Sequence, residues 1–166
     1  GEIPSHSRTL REIIENNLSY KSEAVVRLFE TSIERKDTEL TEKIIKNYES
    51  VLRSDNVIYD RYLVLLGEYL NRLGKYTDAV VRIGSITDKE KYKESINRIT
   101  LNSLLGQKKY DESLIFLRDT LKTQSADQKA YTAYELMGIY FNSGNFAETI
   151  KNYELFNIYI KDAPSK

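Results

Sequence analysis

Leu66-Gly67-Glu68-Tyr69-Leu70-Asn71-Arg72-Leu73-Gly74-Lys75-Tyr76-Thr77-Asp78-Ala79-Val80 is the stretch that decides the fold. It reads as the end of one amphipathic helix, a turn at Gly74, and the start of a second helix. The pattern returns loosely around Lys109-Tyr110-Asp111-Glu112-Ser113-Leu114 and around Gly144-Asn145-Phe146-Ala147-Glu148-Thr149-Ile150. The small residue after each turn falls at Ala79, Ser113 and Thr149, giving spacings of 34 and 36. A period in that range signals stacked helical hairpins, in which each unit buries its apolar face only against its neighbours.

Working outward, apolar residues keep three-four spacing and show no sustained alternation, so the chain reads as all-α. The two prolines, Pro4 and Pro164, stand at the extremes and interrupt nothing between them. The spacing predicts about nine helices. A short leading helix covers 10–18. A second, over 24–33, is capped by Ser22, and a third over 40–52 starts at Asp37 or Thr38. The fourth runs from about Val57 to Leu73 behind Asp55-Asn56, and Gly74 ends it. The fifth reaches about Ile86, and the sixth begins at Thr87-Asp88 and ends near Gly106. The seventh spans 110–121, the eighth runs from Ser125 or Asp127 to Ser143, and the ninth spans 146–160. Residues 1–6 read as a disordered or tag-derived start, 7–161 as one helical repeat domain, and 162–166 as a tail.

Composition excludes several classes of function. Lys+Arg and Asp+Glu are both 25, so no net charge draws the chain to nucleic acid or to an acidic membrane surface. There is no cysteine, which removes disulfides, thiol chemistry and thiolate metal sites. No apolar run reaches the length that spans a bilayer. The opening Gly1-Glu2-Ile3-Pro4-Ser5-His6-Ser7 lacks the basic start and apolar stretch of a signal peptide.

The hairpins resemble the tetratricopeptide repeat. Leu63, Leu66, Gly67, Gly74, Tyr76 and Ala79 fit that family's pattern, with Leu70 in its aromatic slot. Gly67 and Ala79 let two helices approach closely, and Tyr76 packs back into the hairpin. Tyr110, Tyr140 and Phe146 keep aromatic positions further on, whereas Leu101, Met137, Ser113 and Thr149 depart from the small residues. The resemblance covers 57–160 best. It implies a right-handed solenoid of antiparallel hairpins that binds other proteins through a groove lined by the first helix of each hairpin. The segment from Glu148 to Pro164 is also similar to repeats of bacterial cell-envelope proteins, which implies an envelope or periplasmic setting.

Chemistry-bearing constellations are absent. His6 is the only histidine and reads as a terminal residue rather than a base or ligand. Glu39, Glu42 and Glu49, and the pair Asp111 and Glu112, alternate with Lys43, Lys46 and Arg53 and read as solvated faces. Lys89-Glu90-Lys91-Tyr92-Lys93 and Lys108-Lys109-Tyr110 read as charged turns rather than a nucleic-acid patch. No catalytic, metal or cofactor site is expected.

The expected activity is a non-catalytic scaffold that displays a concave groove to a protein or peptide. The groove register assigns Arg61, Val64 and Glu68 from the fourth helix and Arg98, Ile99, Asn102 and Leu105 from the sixth. The eighth supplies Tyr131, Tyr134, Gly138 and Phe141. Tyrosine and arginine carry interface energy most often. Tyr131, Tyr134 and Phe141 are the expected anchors, with Arg61 and Arg98 selecting acidic or polar groups, though Tyr134 and Phe141 fit a core equally well. Some family members clamp a C-terminal carboxylate with Lys, Asn and Arg. Arg98 and Asn102 stand in two of those slots, but Val64, Glu68 and Glu135 break the clamp.

The last helix carries more apolar residues than one buried face accepts. With Phe146, Ile150, Tyr153 and Phe156 turned to the hairpin, Leu155, Ile158 and Tyr159 form a docking face for a partner, a second copy or a continuation of the array. Two other readings stand beside the scaffold. One is a structural component of a bacterial envelope complex that docks through helix ends and its last helix. The other is a regulatory helical domain of a larger protein.

Overall fold

The computed structural model describes Glu12, residues 21–122 and residues 124–162. The described residues form eight α-helices and no strand. They are α1 (Lys21–Glu34), α2 (Thr38–Leu52), α3 (Asn56–Arg72), α4 (Tyr76–Gly84), α5 (Lys93–Gly106), α6 (Tyr110–Leu121), α7 (Ala126–Asn142) and α8 (Phe146–Asp162). The expected leading helix at 10–18 lies outside the described residues except for Glu12, which is helical. His6, the first six residues and 163–166 also lie outside them. Where nine helices were expected, eight are described.

One turn recurs four times. Lys36, Gly74, Lys108 and Gly144 each take positive φ, between 58° and 76°. The amide of the next residue reaches back to the carbonyl five before it, from Asp37 to Ser32, Lys75 to Leu70, Lys109 to Leu104 and Asn145 to Tyr140, at 2.9–3.0 Å. The positive-φ residue bonds the carbonyl three before it, at 2.9–3.1 Å. This is the Schellman pattern, which satisfies carbonyls left open at a helix end. The spacings 38, 34 and 36 between these residues place Thr41, Ala79, Ser113 and Thr149 five positions past each turn. Lysine stands at two left-handed positions where a Cβ costs about 1 kcal/mol.

Helix starts are set locally where a side chain can reach. Asp37 accepts from the Leu40 amide, and Asp55 from those of Val57 and Ile58. Two sequence expectations change. Ser22 is no cap: it sits inside α1 and donates to the Val51 carbonyl at 3.3 Å. The helix expected from Thr87-Asp88 starts at Lys93. Asp60, only 2% exposed, accepts from the Thr87 and Asp88 amides at 2.8 and 2.9 Å and holds that segment away from helical bonding.

Contacts gather into two compact units, Gly1–Ser103 and Leu104–Lys166, and the division falls within α5. In the first, Phe29, Ile44, Leu52, Tyr62, Leu63, Leu66 and Ile99 form one continuous core. Gly67 lies inside it. A Cβ there would stand 2.7 Å from Ile83 Cγ2 and 3.2 Å from Ile99 Cδ1, so its close approach requires glycine. In the second unit, α7 packs on both α6 and α8. Leu117, Ala130, Ala133, Leu136, Ile139 and Tyr140 are buried there.

Candidate partner-binding surface

In the first unit, the residues expected to select a ligand are already engaged. Arg61 is half-buried and bonds Glu23 at 3.1 Å and Glu30 at 3.0 Å, tying α3 to α1. Arg27 and Arg61 hold the Glu23 carboxyl below its ordinary range against the opposing effect of desolvation. Arg98 is exposed and pairs with Glu68 across α5 and α3. Val64 is half-buried and Asn102 exposed. Ile99, expected on the groove, is instead 1% exposed and part of the core. It lies there because α3 offers no side chain at Gly67, so α5 comes close. Asn71 seals the contact, donating to the Ile99 carbonyl while Ser103 donates to Asn71 Oδ1.

In the second unit, the expected anchors stand open. Tyr131, Tyr134 and Phe141 are 58%, 53% and 60% exposed. They share one face of α7 with Gly138, where an added Cβ would meet nothing within 4 Å. Leu105 is half-buried. The Tyr134 ring leans on Phe156 of α8 with centroids 6.1 Å apart, and Phe141 meets Phe146 edge-on at 5.9 Å. The structure thus brings Arg98 to Glu68, and Tyr131, Tyr134 and Phe141 to one α7 face. The two groups belong to different units.

On α8 the expected faces are exchanged in part. Phe146, Ile150 and Tyr153, expected against the hairpin, are exposed. Leu155 and Tyr159, expected outside, are half-buried, and Ile158 is exposed. The inward stripe centres on Asn152, the one buried residue of α8, whose amide bonds the Glu148 carbonyl at 2.8 Å. Glu148, Asn152, Leu155 and Tyr159 share that face at three-four spacing. Polar residues there hid it from a reading based on apolar spacing.

Sequence reasoning also missed the polar cluster joining α2, α3 and α4. Glu49 takes hydrogen bonds from Arg82, Arg53 and Tyr59. Burial pushes its carboxyl up, but those donors outweigh it and hold the carboxyl below its ordinary range. Burial pushes the neighbouring Tyr62 phenol well above its ordinary range, with the Glu49 charge adding to the effect. Among the described residues, the buried Tyr62 and Tyr69 hydroxyls meet no hydrogen-bond partner of ordinary geometry. A cleft of about 380 Å³ opens beside Tyr69, walled by Ile45, Leu66, Leu70, Leu73 and Val81 and rimmed by Glu42, Lys75, Asp78 and Arg82. The i,i+7 pairs Glu42/Glu49 and Tyr62/Tyr69 were the available signal.

Among the described residues, no group of three or more His, Asp or Glu could hold a metal ion. None of the described helices is long and apolar enough to cross a membrane. The arrangement leaves apolar and aromatic side chains exposed on α7 and α8. No protein-family model, curated protein or solved structure matches the chain.

Proposed function

We propose that the chain is a tetratricopeptide-like array of helical hairpins and works as a non-catalytic scaffold for a peptide or protein partner. The four like turns at 36, 74, 108 and 144 support the repeat reading. The observation that carries the function is the open α7 face with Tyr131, Tyr134 and Phe141. Aromatic rings held on a helix offer large contact area at small entropic cost. Arg61 and Arg98 serve less as ligand selectors than as internal ties, because Glu23, Glu30 and Glu68 occupy them.

A displayed peptide library panned on the protein tests this. Enriched peptides should lose about 30-fold in affinity in Tyr134→Ala or Phe141→Ala, the loss of a central anchor worth about 2 kcal/mol. No enrichment, or binders indifferent to both changes, would contradict the groove.

A second reading, an assembly component that docks through its last helix, is favoured by the exposed large side chains of α8.

A further inference from the structure

We propose that the exposed stripe of α8 is the contact face of a two-fold dimer of this chain. The inference deepens the second reading and rests on the equivalence of the four turns, not on the α7 groove.

Nine residues past each positive-φ position stand Ile45, Ile83, Leu117 and Tyr153. Ile45 is half-buried, Ile83 and Leu117 are each 3% exposed, and Tyr153 is 54% exposed. Sixteen residues past the first and last turns stand Leu52, at 0%, and Ile160, at 51%. In the first unit, Ile45 and Leu52 of α2 join one core with Tyr62, Leu63 and Leu66 of α3. A helix covers that face. On α8 the Tyr153 and Ile160 positions follow that plan, whereas Phe146 and Ile150 stand where α2 has the exposed Thr38 and Glu42, and no helix among the described residues covers the stripe.

The face is matched to itself. Phe146 and Ile160 lie seven residues before and after Tyr153, and Ile150 sits between on the same stripe. Asn157 completes the three-four spacing, so no charged residue interrupts it. Laid antiparallel about an axis beside Tyr153, two α8 helices set Phe146 of each against Ile160 of the other, as an isologous contact requires. About half of each large side chain is uncovered. Covering all of it would bury roughly 500 Å² per copy and about 1,000 Å² for the pair, the lower bound for a biological interface and the size of a weak, concentration-dependent one. The chain's net charge of +0 leaves no overall repulsion between copies.

Sedimentation velocity of the full chain, from about 1 to about 300 µM, spans the range expected for an interface of this size. Wild type should pass from monomer to dimer within it. Tyr153→Asp and Ile150→Asp should stay monomeric throughout with unchanged helical circular dichroism. A wild type monomeric at the highest concentration overturns the proposal, as does a dimer that survives both changes. The native chain has no cysteine, so a folded reporter is also at hand. Under mild oxidation Tyr153→Cys should cross-link, and Lys151→Cys, on another face, should not. Equal cross-linking at both positions also overturns it. Dimer loss that leaves Tyr134-dependent peptide binding intact separates this proposal from the groove reading.

Discussion

The two units use the same hairpin turn and dispose of their apolar surface differently. Of the fourteen large apolar residues exposed among the described residues, four lie within residues 1–103 and ten within 104–166. The first unit spends its side chains on itself. Ion pairs and hydrogen bonds tie α3 to α1, α2 and α5, through Arg61, Tyr59 and Asn71. In the second unit, Arg118 of α6 bonds Tyr140 of α7, and Thr132 of α7 bonds Gln124 in the loop before it. The same turn thus joins helices whose large apolar side chains are seldom exposed in one unit and often exposed in the other.

The contrast can be broken by mutation, and the largest effect is expected at Asp60. Asp60→Ala leaves the Thr87 and Asp88 amides without their shared acceptor. It should cost about 3 kcal/mol of unfolding free energy in urea, since hydrogen bonds to a buried charge are the costly ones to lose. A loss below about 1 kcal/mol would show that water replaces the carboxylate freely.

Next comes one substitution made in both units. Gly67→Ala drives a methyl group into Ile83 and should destabilise by about 1–2 kcal/mol, overpacking less the helical preference of alanine. Gly138→Ala enters open space on α7 and should stabilise by up to about 1 kcal/mol. Equal signs for the two would erase the difference between a closed face and an open one.

The turns should not distinguish the units. Lys36→Gly and Lys108→Gly each relieve a left-handed lysine and should each raise stability by about 0.5–1 kcal/mol. A gain at one site alone would mean that the four turns are not equivalent.

The smallest effect concerns pH and belongs to the first unit. Glu49 has a carboxyl held below its ordinary range, so its stabilising effect is complete above the unfolded-state pKa, near 4.5. That effect is lost as pH falls through the lower folded-state value. Glu49→Gln should therefore narrow its gap to wild type in acid-titrated thermal melts below about pH 4.5. A gap constant from pH 7 to pH 3 would remove Glu49 from the acid response.

How far the sequence could be read follows from the reach of each interaction. Gly74 and Gly144 announce their turns because glycine favours positive φ. Lys36 and Lys108 carry no such mark: the repeat spacing reached the turn at Lys108, and the turn at Lys36 was legible only as the short connection between the helices expected at 24–33 and 40–52. Asp37 and Asp55 act within three residues and were read as helix starts. Asp60 acts on amides 27 and 28 positions away, so the delayed start of α5 was hidden. Arg61 and Arg98 read as ligand-facing because their carboxylate partners lie on other helices. On α8, apolar residues occupy several directions at once, and the buried Asn152 reverses the face that spacing alone would choose. The exposed α7 anchors were legible as residues, but their exposure depended on packing that no single helix determines.

The most direct test of the account is hydroxyl-radical footprinting by mass spectrometry, read side chain by side chain at low and high protein concentration. Tyr134, Phe141 and Tyr153 should oxidise rapidly in dilute solution while Phe29 and Tyr62 stay protected. As concentration rises, Tyr153 should become protected together with Phe146 of the same stripe, while Tyr134 and Phe141 stay reactive. Tyr134 and Phe141 reacting as slowly as Phe29 in dilute solution would contradict the claim that the second unit holds an open apolar face.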